Sequence, residues 1–179
     1  MRPTKSHLKI IITSLCLIAA LAVMAADVYL SPASFLEQSF DGEVPSAQRL
    51  WLTKDLKAPI HDIMGHDFGA LRVRYWRIGV RTAWILEEIG KEQPITTGFV
   101  IDGGALRDVR ILVYRESRGW EVRYPSFTDQ FKGVSLQPSR LLDRHIDGIT
   151  GATMSVNALT RLARLALYFH EKAVAQSPD

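Results

Sequence analysis

The sequence predicts an α+β fold: an antiparallel sheet of hairpins flanked by helices and closed by one long C-terminal helix. Three observations lead there. Paired apolar-rich segments meet at turn residues, as in "ITTGFVIDGGALRDVRILVY", where Asp102-Gly103-Gly104 is a strong hairpin signal. Val156, Leu159, Leu162, Ala163, Ala166 and Phe169 recur at steps of three and four, the spacing of a buried helical stripe. No strand–helix alternation runs through the chain, which disfavours a doubly wound nucleotide fold.

The chain opens with a basic segment, "MRPTKSH", and then the apolar run Ile10–Ala26. A membrane span needs ~20 apolar residues, with ~17 the lower limit. A secretory signal peptide has the same layout, and Val23-Met24-Ala25 ahead of Ala26 would serve as its small-residue cleavage site. Residues 1–30 are therefore expected to be a membrane anchor or a signal peptide. Positive flanks stay inside, so both readings export the remainder of the chain. In a bacterium the destination is the inner membrane with the domain on its periplasmic face, or the periplasm itself after cleavage.

Residues 31–45, "SPASFLEQSFDGEVP", mix Pro, Ser and Gly and read as a linker; residues 46–179 read as the domain. Ser46 to Ala58 can form a short amphipathic helix, with Ser46 as N-cap and Pro59 ending it. "LRVRYWRIG" and "RTAWILEEIG" make a first hairpin around Gly79, and the Asp102-Gly103-Gly104 pair makes the second. "RGWEVRYPSF" reads as a short strand stopped by Pro125.

Charge narrows the choice of partners. Of the 22 Lys/Arg, only Arg2, Lys5 and Lys9 precede the first acidic residue, Asp27; the others balance the 19 Asp/Glu, so the net +3 belongs to the N-terminus. Without basic clustering on the folded part, no nucleic acid is expected as a partner. The lone Cys16 supports no disulfide framework, zinc site or haem attachment. "HDIMGHD" gathers His61, Asp62, His66 and Asp67, but the five-residue step between its histidines, with Gly65 between them, keeps them off one helical face. A polar loop before the first strand is the expected account. The arginines at 72, 74, 77 and 81 read as a solvated strand face. His145, Asp147 and Ser155 are residue types of a hydrolase, yet no nucleophile elbow accompanies them.

The most informative stretch is "DGITGAT", Asp147–Thr153, at the mouth of the C-terminal helix. A helix N-terminus leaves N–H groups unpaired and carries partial positive charge, so it binds phosphate readily. Gly148 and Gly151 permit sharp turning or close approach. Ala152 is too small to obstruct, and Thr153 sets a hydroxyl at the first turn. This geometry suits a phosphate, held freely or as an ester. A second reading stands beside it: Thr150 or Thr153 merely caps the helix.

Those residues resemble the flavinylation motif of the FMN-binding domain family, D-[GA]-x-[ST]-G-A-[TS], and every constrained position is met. The family includes the covalently flavinylated subunits of the Rnf and sodium-pumping NADH:quinone reductase complexes. Upstream, Glu116-Ser117-Arg118-Gly119 is similar to the family's E-T-P-G, with Glu and Gly kept and Thr-Pro absent. The likeness covers roughly Thr96 to Leu167. It implies FMN joined through a phosphoester to Thr153, installed by an exported flavin transferase. Asp147 would serve transferase recognition or loop ordering, with an Asx-type turn the other reading. Thr150 would donate to a phosphate oxygen or cap the helix, while Gly151 and Ala152 complete the attachment loop. Glu116 and Gly119 would belong either to a flavin-contacting loop or to a hairpin-end turn. Trp120 beside them is the aromatic residue best placed to stack on the ring; core packing is the default for the others. No catalytic or metal-ligating residue is expected. The implied protein is an exported, membrane-tethered electron relay that exchanges with a membrane-bound redox protein, more a carrier subunit than a self-sufficient oxidoreductase. The alternative is a redox-silent periplasmic binding or assembly module on the same fold.

Overall fold

A computed structural model describes residues 27–176; of the segment 1–30 expected to be anchor or signal, the apolar run Ile10–Ala26 lies outside the described residues and only 27–30 lie within them. β1 (Asp27–Val28), β2 (Gln48–Trp51), β3 (Arg72–Ile78), β4 (Arg81–Ile89), β5 (Pro94–Asp102) and β6 (Ala105–Tyr114) form one antiparallel sheet, ordered β1-β6-β5-β4-β3-β2. Both expected hairpins are present. Asp102 pairs with Ala105, leaving Gly103 (φ 60°) and Gly104 (φ 85°) as a two-residue loop. Positive φ at both central positions is what a primed hairpin turn demands, and glycine adopts it without steric cost.

The expected long helix, α4 (Thr153–Ala175), crosses one face of the sheet. Its Leu159, Leu162, Ala163, Ala166 and Phe169 are buried in the same cluster as Trp84 and Phe99. Trp84 lies at the centre, stacked on Tyr75 at 4.8 Å between ring centroids and tilted against Phe169 at 5.6 Å. Its indole Nε1 donates to Thr82 Oγ1 (2.9 Å), which lies 2.8 Å from His170 Nδ1 of α4. On the opposite face, α1 (Pro32–Ser39) and the residue after it seat Phe35, Leu36 and Phe40 on Ala83, Val100 and Leu112. Gly98 makes this possible, because a Cβ there would come within 2.6 Å of the Phe35 ring.

Three local expectations are corrected. The stretch read as a linker contains α1, started by Ser31, whose hydroxyl accepts from Ser34 N at 3.0 Å, with Pro32 in the first turn. The helix expected over Ser46 to Ala58 is divided. Gln48–Trp51 form edge strand β2, and α2 (Lys54–Met64) begins later and runs through Pro59. Leu56, Ile60, Ile63 and Met64 of α2 are buried. Each such burial contributes ~1.5–3 kcal/mol, which together outweighs the ~3 kcal/mol cost of an interior proline. Gly65 (φ 76°) then ends the helix. Lastly, Trp120–Arg123 form a 3-10 turn and α3 (Pro125–Thr128) a short helix, where a strand was expected. Gly119 is left-handed (φ 77°), and only Val122 of the apparent alternation turns inward.

Candidate functional site

The start of α4 has an unusual composition. Its N-cap position is Ala152, and no side chain caps the first turn. Neither Thr150 nor Thr153 takes that role, so the capping reading does not hold. Ile149 O instead accepts from Ala152 N at 2.9 Å, closing a turn in which Gly151 sits third with φ 85°. Type II turns place a positive φ at that position, which accounts for the glycine. Thr153 is the first helical residue and is exposed; its hydroxyl makes no hydrogen bond with the described residues. An exposed helix N-terminus favours an anion by ~0.3–1 kcal/mol.

In front of this terminus lies a cavity of about 480 Å³, lined from three parts of the chain. Gly151, Ala152, Thr153, Met154 and Ser155 form one wall, Glu116, Ser117 and Arg118 a second, and Lys91 with Glu92 a third. Lys91 and Arg118 supply cationic side chains, and Arg118 forms no ion pair among the described residues.

Two contacts fasten these walls together. Glu116 Oε1 accepts backbone N–H bonds from Lys91, from Glu92 (2.7 Å) and from Gln93 (3.1 Å), so the β4–β5 turn is held on one carboxylate oxygen. Burial alone would raise the Glu116 pKa, but the three backbone donors outweigh it and hold the carboxyl below its ordinary 4.5. Gly119 packs on the turn ahead of α4; a Cβ there would meet Ala152 Cβ at 3.0 Å and Tyr114 Oη at 3.1 Å. Tyr114 Oη donates to Arg118 O at 2.6 Å. Its single proton is committed there, so buried Ser155, 3.1 Å away, is the donor to Tyr114. Burial raises the Tyr114 pKa, which keeps that proton in place.

The structure thus brings Thr153, Gly151, Ala152 and Glu116 to one cavity, with Gly119 behind Ala152. Thr150 is exposed at the loop tip and does not line the cavity, nor does Asp147. The Asp147 backbone N is held by Gln130 Oε1 at 2.7 Å, and its carboxylate lies 4.0 Å from His145 Nε2, while the Ser155 hydroxyl is bonded to Tyr114. Trp120 lies outside the lining, edge-on to Tyr124. His66 of "HDIMGHD" turns to Glu88 on β4 (3.0 and 3.1 Å), whose other partner is Arg161 of α4 at 2.9 Å. Sequence reasoning missed Gly90, Lys91, Tyr114 and the packing role of Ser155. Gly90 carried a readable signal, as a glycine just past a strand; the remainder depend on contacts distant in sequence.

Residues 90–168 match the sequence model of a family described as FMN-binding domain. This stretch is an FMN-binding domain. No curated protein matches the chain. The matched part of the FMN-binding domain begins at Gly90, in the turn that Glu116 holds, and ends at Tyr168 within α4. Its cofactor is FMN, and the site fits one: the cavity falls within the ~300–1,000 Å³ typical of small-molecule sites. An uncapped helix start with Arg118 alongside is suited to a phosphate group, while Lys91 Nζ is paired with Glu92 at 3.6 Å. Among the described residues no helix is long and apolar enough to cross a membrane.

Proposed function

We propose that this protein is an exported, membrane-tethered flavoprotein that carries FMN on Thr153 and relays electrons between a membrane redox partner and another carrier or reductase. One observation supports attachment above all. Thr153 offers an exposed hydroxyl, unbonded among the described residues, at the first position of a helix without a side-chain cap, at the wall of a cavity large enough for a cofactor. The ester joins Thr153 Oγ1 to phosphorus, the hydroxyl proton leaves with the donor's displaced group, and the chain gains FMN less one water. An exported flavin transferase is the partner that performs this step.

Bound FMN supplies redox chemistry at its ring. The chain's own residues hold and orient it. The N–H groups of the first turn of α4 would stabilise the remaining phosphate charge, and Arg118 would add a cationic side chain at the cavity. Covalent attachment also removes the need for free FMN near its dissociation constant, a supply that an exported protein lacks. The run Ile10–Ala26 supplies the tether. Intact mass after co-expression with a flavin transferase tests the attachment. The expected spectrum shows FMN less water in the wild type and none in Thr153→Val; an unmodified wild-type chain removes the carrier reading.

A further inference from the structure

Exposed aromatic side chains gather where the described chain begins. β1 sets Val28 at the sheet edge, and Tyr29 in the bend after it donates its backbone N–H to Leu112 O at 2.9 Å. The Arg123 guanidinium lies 4.3 Å from the Tyr29 ring centroid and 5.2 Å from those of Trp120 and Tyr124. Trp120 and Tyr124 meet edge to face at 5.5 Å. Core packing does not explain this rosette, because Trp120, Tyr124 and Tyr29 remain 43%, 42% and 40% exposed. Nor is it an ion-pair site, since no carboxylate pairs with Arg123 among the described residues.

Aromatic rings with polar tips around a cation are what the membrane–water interface selects, the rings lying at headgroup depth and the cation at the phosphates. We propose that the Arg123 rosette is the seat of this domain on an anionic lipid surface, a proposal that rests on the anchor reading of Ile10–Ala26. Chain length supports it. Ala26 and Tyr29 are separated by Asp27 and Val28 alone. At ~3.3–3.6 Å per residue, Tyr29 stands no more than about 10 Å from the end of the apolar run. The polar headgroup layer is itself ~5–8 Å deep on each side. An anchored chain therefore holds Tyr29, and with it Arg123, Trp120 and Tyr124, at or just above the phosphates. Gly119 precedes Trp120 and packs on Ala152, so the same seat holds the Thr153 cavity close to the membrane surface.

The full-length chain, reconstituted in vesicles of phosphatidylglycerol and phosphatidylethanolamine with brominated acyl chains, tests this through tryptophan emission. Wild-type emission is expected to be quenched, with most of the quenching lost in Trp120→Phe and kept in Trp51→Phe, which alters the exposed tryptophan on edge strand β2. A chain that floats with the vesicles but is quenched equally in Trp120→Phe overturns the seat while leaving the anchor. A chain that does not float overturns both.

Discussion

Gly90 and Glu116 fit together only because one of them has no side chain: a Cβ on Gly90 would lie 2.8 Å from Glu116 Oε1. That oxygen cannot swing aside without releasing the backbone donors of the β4–β5 turn. Ile95 Cδ1, at 3.0 Å from the same Cβ, closes the other direction. Gly90→Ala is therefore expected to cost about 1–3 kcal/mol, the range of overpacking in a filled site. Chemical denaturation measures it, and a midpoint equal to wild type would refute the close fit.

Acid should loosen the same contact. The folded-state pKa of Glu116 is depressed, so its contribution is complete above the ordinary 4.5 and is lost as pH falls through the lower folded value. Glu116→Gln removes the charge but not the shape, and should flatten this part of the acid-unfolding curve. It should also lower FMN loading of Thr153 by disordering the Lys91 side of the cavity. Equal acid sensitivity in wild type and Glu116→Gln would count against the assignment.

Tyr114→Phe leaves Ser155 buried without an acceptor and Arg118 O without its donor. A loss of about 1–3 kcal/mol is expected from the stranded groups. Adding Ser155→Ala to that variant should cost little more, or recover part of the loss, since the partner has already gone. A double-mutant cycle reads the coupling directly, and strict additivity would show that the two hydroxyls do not interact.

Two histidines should pull the pH profile in opposite directions. His170 is buried beside Thr82, and burial, then Arg77, lowers its pKa, so its stabilisation holds above the ordinary 6.5 and is lost as pH falls through the folded value. His66 is raised, first by the Asp67 carbonyl and then by Glu88, so its contribution is present below 6.5 and is lost as pH rises through the folded value. His66 is half exposed and its pair is screened, so His170 should dominate. Melting temperature is expected to fall from pH 7 to pH 5. The fall should steepen in His66→Ala and flatten in His170→Asn; the reverse ranking would contradict a dominant buried His170.

Loading of Thr153 should stabilise the fold as well as colour it. A phosphate ester at the first residue of an uncapped helix is worth ~0.3–1 kcal/mol there. Domains near this size shift by ~2–4 °C per kcal/mol, so the loaded form should melt about 1–4 °C higher than the bare chain. Differential scanning calorimetry of the two forms checks it, and a lower value for the loaded form would oppose a helix-end phosphate.

Local chemistry was legible in the sequence where it acted over a few residues. Gly103-Gly104 announced a hairpin, and the three-and-four spacing after Thr153 announced α4, because turn geometry and helical stripes are written within one element. Ser31-Pro32 announced α1 equally clearly, but the Pro/Ser content of that stretch suggested a linker instead. β2 was hidden because an edge strand needs only one inward residue, Leu50, and Leu52 with Leu56 mimicked a helical face. The turn ahead of α4 was readable through Gly151, whose positive φ the turn requires. Glu116 was singled out by its motif, but its hold on the turn at Lys91 and the Tyr114–Ser155 contact behind the cavity were not, since they arise from the pairing of β4, β5 and β6 and leave no local pattern.

The boundary at Gly90 has a practical consequence for anyone wishing to trim the protein. β4 ends at Ile89, yet it pairs with β5 from Arg81↔Asp102 to Ile89↔Pro94 and contributes Trp84 to the centre of the core. An excised fragment 90–168 would bare the whole flank of β5, an unpaired strand rich in buried apolar groups, and strip α4 of its aromatic bed. Such a fragment should precipitate on expression, whereas a cut ahead of β1 spares every sheet contact among the described residues.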